Sequence, residues 1–145
     1  MNLPVPTMRF SLPEEKRLVH QMVIPIRWGD MDAFHHVNNA VYFRYMETIR
    51  VEWLLSLTEI GQGDEGTVVA STFCNFLRPL EHPGDVLAKL YVAQLGRTSL
   101  DTYVTMERSD APGLICAAGG AKLVWVNVRE QRPIPLPEVL RISLG

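Results

Sequence analysis

Apolar positions in the first third of the chain change period twice. From His20 to Trp28, the residues Met22, Ile24, Ile26 and Trp28 fall on alternate positions, the spacing of a strand with one buried face. Pro25 interrupts that run and places it at a sheet edge or a bulge. From Asn38 or Asn39, either of which is a good helix N-cap, the spacing lengthens to three and four. Tyr42, Met46, Ile49, Trp53 and Leu57 then form one stripe, widened by Tyr45 and Leu54. Arg44, Glu47, Thr48, Arg50 and Glu52 fill much of the other side. Gly61 and Gly63 are expected to stop this helix. At about 20 residues it spans roughly 30 Å, long for so short a chain and suited to a sheet wrapped around it.

Beyond Gly66 the pattern is that of strands. Thr67–Leu77 is rich in β-branched and aromatic residues, and a turn follows through His82, Pro83, Gly84 and Asp85. Val86–Leu95 is the next strand, and Gly96-Arg97 a short connection. Thr98–Arg108 alternates well, with Leu100, Thr102, Val104 and Met106 on one face. A turn at 109–113 leads to the last long strand, Leu114–Val128, whose Gly119-Gly120 pair marks a bulge or the close approach of another backbone. The tail from Arg132, with prolines at 133, 135 and 137, is expected to stay out of a central sheet. Short connections imply antiparallel neighbours. The expectation is therefore an α+β fold, a long central helix wrapped by an antiparallel five-stranded sheet. One domain is expected over residues 1–145, with an N-terminal arm at 1–20 and a C-terminal tail at 132–145.

Composition narrows the function classes. With 47% hydrophobic and 21% charged residues, this is the make-up of a soluble globular protein, and a formal net charge of −2 gives no case for nucleic acid or a membrane surface. No apolar run reaches the roughly 20 residues of a membrane span, and the N-terminus shows no secretory signal. Cys74 and Cys116 lie in apolar strand-like runs without metal-type spacing, which reads as buried free thiols in a reducing compartment, hence the cytoplasm.

The chemistry is concentrated between strand and helix, in Gly29–Tyr42, G-D-M-D-A-F-H-H-V-N-N-A-V-Y. Two carboxylates, two histidines and two asparagines sit where a helix start offers unpaired N–H groups and the positive end of its dipole. A carboxylate there can attack, or activate water against, a carbonyl whose oxygen becomes negative. Asp30, Asp32, His35 and His36 are also metal-ligand types, but adjacent histidines on an irregular loop are not a ligand spacing, and no metal is expected.

The run D-M-D-A-x-x-H-V-N-N-x-x-Y followed by an amphipathic helix resembles the signature of hotdog-fold acyl-CoA thioesterases of the 4-hydroxybenzoyl-CoA thioesterase family, and the likeness extends over about Met22–Leu140. The resemblance implies a homodimer or homotetramer, with sheets that join and active sites at the subunit interface. It implies Asp32, the second aspartate, as nucleophile or general base. It implies the Asn39 backbone N–H as oxyanion donor, and gives His36 a place in the site, ordering the loop or lining the thioester pocket. Asp30 is left a structural role, satisfying loop N–H groups or an arginine. Asn38 is first a cap, and Tyr42 a core residue with a satisfied hydroxyl; either can also touch substrate. Arg97, Thr98 and Ser99 are candidates for coenzyme A, with Arg78 and Arg132 as weaker ones. His35 departs from the family, whose members often carry glycine there to permit a conformation that histidine adopts only at a cost. No cofactor is implied beyond the coenzyme A of the substrate. Two other readings stand beside this one: a non-catalytic module binding acyl-CoA or acyl carrier protein, and a thioesterase acting on acyl carrier protein. The chain length of the acyl group is not legible.

Overall fold

The computed structural model describes residues 8–57 and 63–144. In chain order the elements are β1 (Arg17–Pro25), a 3-10 turn (Trp28–Asp30), α1 (Asn39–Leu57), β2 (Glu65–Phe76), β3 (Asp85–Leu95), β4 (Ser99–Arg108), β5 (Ile115–Asn127), β6 (Arg132–Pro133) and α2 (Glu138–Leu144). Every ladder is antiparallel, and the long strands lie in the order β1-β3-β4-β5-β2. Five long strands around one long helix is the α+β hotdog architecture that the pattern and the motif led us to expect.

The alternation that marked β1 holds through Ile26 and then fails. Ile24 and Ile26 are buried, but the 3-10 turn rotates Trp28 outward, leaving it 76% exposed. The strand also starts at Arg17, ahead of the expected His20. Pro25 sits on an edge strand, where its missing N–H costs no ladder bond. The turn through Gly61 expected to end the helix lies partly outside the described residues; α1 itself ends at Leu57.

α1 lays Tyr42, Tyr45, Met46, Ile49, Trp53 and Leu54 on the sheet. The sheet answers with Ala88 and Leu90, with Leu100, Val104 and Met106, and with Leu123 and Trp125, all buried. Each fully buried side chain of this size contributes about 1.5–3 kcal/mol relative to exposure. Arg50, placed on the polar side by the pattern, is buried as well, and desolvation lowers its pKa. The helix's buried arc is therefore wider than its apolar stripe. Gly119 and Gly120 are a close approach and not a bulge: they sit in regular register opposite Cys74 and Phe73. A Cβ on Gly119 would stand 2.2 Å from the Phe73 carbonyl oxygen and 3.1 Å from the Met46 sulfur, so the missing side chain is what admits α1.

The opposite face of the sheet is partly covered too. The buried Asn75 amide accepts from the Phe10 N–H (3.1 Å) and donates to the Phe10 and Ala118 carbonyls (2.8 and 3.0 Å), so the N-terminal arm is held as a strand would be. The Phe10 ring packs on Phe73, with centroids 5.8 Å apart, and Lys16 lies 5.1 Å over the Tyr91 ring.

The tail corrects one expectation. Residues Arg132–Pro133 do join the sheet, pairing with Asn127 and Val126. The pairing is possible because it lies at the sheet's end, beyond the start of β4, and needs no N–H from Pro133. α2 was not expected; its Leu140 is buried, and Arg141 donates to the Gly96 and Arg97 carbonyls (2.7 and 3.0 Å). Among the described residues no helix is long and apolar enough to cross a membrane.

Candidate active site

The loop between β1 and α1 is a closed structure in spite of its polar content. Met31 and Val37 form an isolated bridge, the Asp32 N–H donates to the His36 carbonyl (2.9 Å), and the His35 N–H donates back to the Asp32 carbonyl (3.0 Å). This four-residue turn is closed by His35 in the left-handed region, at φ 63°, the conformation a glycine would take more easily.

The two aspartates divide the work. Asp30 Oδ2 accepts from the Arg27 N–H (2.9 Å) and from the Tyr45 hydroxyl (2.8 Å), which confirms the loop-satisfying role expected of it. Burial and the neighbouring Asp30 carboxylate together raise the Tyr45 pKa well above the usual phenol range. Asp32 is less occupied. Its Oδ1 accepts from the Phe34 N–H (2.9 Å), and among the described residues its Oδ2 has only the Asn38 amide nitrogen, at a long 3.5 Å. The carboxylate borders an open cleft of about 340 Å³ walled by Trp28, Met31, Ala33 and His35.

Asn38 joins the carboxylate to the helix. Its N–H donates to the Asp30 carbonyl, and its Oδ1 accepts from the Ala40 N–H (both 2.9 Å), an N-cap in the usual sense. The same amide group turns its nitrogen toward Asp32. The next residue, Asn39, opens α1, and its backbone N–H has no acceptor among the described residues. Asn39 lines a second cleft, of about 220 Å³, with His36, Tyr42, Phe76 and Arg78 around it. Tyr42 is buried against Phe76, centroids 5.1 Å apart, and its hydroxyl accepts from the Leu80 N–H (3.2 Å). His36 is half exposed, its Nε2 3.4 Å from Glu81 Oε1. Arg78 is exposed and has no ion-pair partner among the described residues.

One chain thus brings Asp32, His36, Asn38, Asn39, Tyr42 and Arg78 to the same end of the sheet. It does not bring Arg97, Thr98 and Ser99 there. They lie where β4 begins, with the loop at the far end of the sheet, beside Asp85 and Arg108, roughly 30 Å away at 3.3 Å per residue. In place, Arg97 and Thr98 offer backbone carbonyls to Leu136, Arg141 and Trp125. Among the described residues no three His, Cys, Asp or Glu side chains converge as metal ligands would. Sequence reasoning named Arg78 but missed the rest of its segment, 79–84, which helps wall the second cleft and touches the loop. Its prolines and glycine marked a turn and gave no sign of what the turn would hold.

Comparison with known proteins bears on the family and the fold. The profile of the Thioesterase-like superfamily matches residues 26–144. The PA2801 protein of Pseudomonas aeruginosa is similar in structure, with a TM-score of 0.85 and 38% identity, over 89% of this chain and 100% of that one. A thioesterase from Thermus thermophilus complexed with coenzyme A and Zn aligns with a TM-score of 0.74 and 30% identity, over 90% of this chain and 92% of that one. The chloroplastic acyl-acyl carrier protein thioesterase ATL3 of Arabidopsis thaliana is 29% identical over 129 residues, 84% of this chain and 65% of that one. By sequence and by architecture, this chain belongs to the thioesterase-like superfamily and is a hotdog-fold thioester hydrolase.

Proposed function

We propose that the protein hydrolyses an acyl-CoA to the free carboxylic acid and coenzyme A, with Asp32 as the reacting carboxylate and the Asn39 backbone N–H as oxyanion donor. The observation that carries this reading is the unpaired Asn39 N–H at the start of α1, one residue from the asparagine that also meets Asp32. The thioester oxygen accepts that N–H and the helix dipole as it becomes negative. Asp32 then acts by either of two balanced routes. As nucleophile it forms an anhydride and expels the coenzyme A thiolate, and water cleaves the anhydride. As base it takes a proton from water, which adds to the carbonyl while the thiolate leaves and is protonated. Neither route calls for a metal or a redox cofactor. Asn38 aligns Asp32 with the helix start, Tyr42 and Phe76 offer apolar surface, and Arg78 offers a cation to a phosphate. Coenzyme A in the Thermus thermophilus relative supports the choice of thiol carrier. An acyl carrier protein presents the same phosphopantetheine thioester, and the Arabidopsis thaliana relative makes it the second substrate to try.

The site is completed, in this reading, by a second copy. β2 is a 12-residue edge strand, with Val68 and Val69 exposed, and such an edge is a template for another strand. Antiparallel pairing of β2 with its copy sets Phe76, beside the Asn39 cleft, against the other copy's Glu65 end. Register places β4's Ser99 at that same end of the sheet, through Val124 and Val68. Arg97, Thr98 and Ser99 of the partner subunit are then carried toward the cleft, about three strand spacings of 4.8 Å from β2. A homodimer therefore reunites the residues that one chain keeps apart.

Thiol release from short, long and aromatic acyl-CoAs, with wild type and Asp32→Asn side by side, tests the reading. Turnover should fall about 10²–10⁴-fold in the variant while circular dichroism stays unchanged. Full turnover in a folded Asp32→Asn protein would sink the assignment.

A further inference from the structure

The loop that carries Asp32 leans on one irregular segment, Leu80 to Gly84. Five contacts join the segment to the loop and to the start of α1, the first being the Ile26 N–H donating to the Gly84 carbonyl (2.9 Å). The Val37 N–H donates to the Leu80 carbonyl (2.8 Å), and the Leu80 N–H donates to the Tyr42 hydroxyl (3.2 Å). His36 meets Glu81 (3.4 Å), and the His82 N–H points at the Met31 sulfur (3.4 Å). The segment has neither a helix nor a ladder of its own, so something else must hold it in place.

Leu80 anchors one end of the segment in the core, where it is fully buried, and the Ile26 N–H holds the Gly84 carbonyl at the other; between them the support is a single guanidinium. Arg108, the last residue of β4, donates from Nη1 to the Glu81 carbonyl (2.9 Å) and from Nη2 to the Pro83 carbonyl (3.0 Å). Asp110 fixes the group from the other side, accepting from Nε at 2.9 Å and from Nη2 at 3.1 Å. Gly84 leaves room for it, since a Cβ there would stand 2.3 Å from Nη2. The Asp110 carboxylate raises the Arg108 pKa above its ordinary value, and Arg108 in turn lowers that of Asp110, so the pair stays charged at any working pH. A planar fork suits two carbonyls and a carboxylate at once, which an ammonium point charge does not.

We infer that Arg108 is a positioning residue: by holding the Glu81 and Pro83 carbonyls it sets the segment on which the Asp32 loop rests, and so sets Asp32 relative to the Asn39 N–H. The inference rests on the function proposed above. Arg108 touches no reacting atom; it acts through segment 80–84. A misplacement of about 1 Å in a reacting group is enough to cost 10²-fold in rate, so loss of the fork should fall on kcat.

The experiment compares wild type, Arg108→Lys, Arg108→Ala and Asp110→Asn. Steady-state kinetics with the best acyl-CoA of the panel are read beside amide hydrogen exchange. Arg108→Ala should lose about 10–100-fold in kcat with KM within a few-fold of wild type, and millimolar guanidinium should restore part of it. Arg108→Lys should recover little, and Asp110→Asn should lose less, because it keeps both carbonyl bonds. Exchange should quicken at residues 31–38 and 80–84 while α1 stays protected. Wild-type kcat and wild-type exchange in a folded Arg108→Ala or Arg108→Lys protein would overturn the inference. Should wild type cleave no member of the panel, the proposed function fails, and the exchange pattern alone upholds or overturns the tether.

Discussion

His35 shows how one side chain's backbone cost can be located. Its φ of 63° closes the turn that presents Asp32, and an L-residue other than glycine pays about 1 kcal/mol or more to sit there. His35→Gly removes that strain but widens the unfolded ensemble, an opposing effect of similar size. The expected outcome is a net gain of no more than about 1 kcal/mol, read as a small upward shift of the urea midpoint. A loss of that size would mean that the imidazole makes contacts worth more than the strain. At this scale much of the site was legible. The mismatch of histidine with a glycine-like position, and the loop-holding role of Asp30, were implied by the resemblance of the motif to its family, and residue chemistry supplied the reason for each. The weight carried by Arg108 was not legible, because a charged residue at the end of a strand has no periodic or motif signature; only the carbonyls brought to it by the fold give it a task.

Elements were legible where one face is buried and the other is not. In β4 the inward set Leu100, Thr102, Val104 and Met106 is as the alternation requires, and all four are buried. On the outward side Thr105 and Glu107 are buried too, at 7% and 3% exposure. Glu107 meets Lys89 (3.0 Å) and the Gly113 N–H (2.5 Å), neighbours that no reading of β4 by itself contains. The same limit hid α2 and the pairing of Arg132–Pro133, since three prolines speak against a sheet but not against its last two residues. Gly119 was flagged by its pairing with Gly120, and its reason lies between elements. Gly119→Ala would drive a methyl into the Phe73 backbone and toward Met46 of α1. Overpacking of this kind costs about 1–3 kcal/mol, and a backbone oxygen yields less readily than a side chain. Thermal unfolding should therefore move down by several degrees; an unchanged midpoint would show that β2 and β5 separate at little expense.

Among the described residues the sheet has two edges, β1 and the longer β2, and the proposed assembly is tested at β2. Val69→Lys places a charge on β2 at a point exposed in the single chain (44%), so it should leave the protomer's own packing nearly intact. Natural edge strands use lysine in this way to prevent pairing. Sedimentation should then report a species of 16.4 kDa in place of one twice as heavy, and turnover should fall with it if the partner's Arg97, Thr98 and Ser99 serve the site. A variant that still runs as the wild type would move the interface elsewhere. The helix and the strands along the chain could be read from periodicity; the order within the sheet, with β2 against β5 and not against β3, and the far placement of Arg97–Ser99 could not, because both are matters of pairing and register between distant segments.

The two thiols of the chain have a bearing on the reaction itself. Burial pushes the Cys74 pKa up to about 12 and raises that of Cys116 as well. Disulfide exchange needs an accessible thiolate, and at neutral pH Cys74 holds almost none. An enzyme of the kind proposed here releases a thiol at every turnover, beside whatever oxidised coenzyme A has gathered in its surroundings. Its own sulfurs should form no mixed disulfide with that product, and a colorimetric thiol reagent added to the working enzyme should count product alone until the protein unfolds.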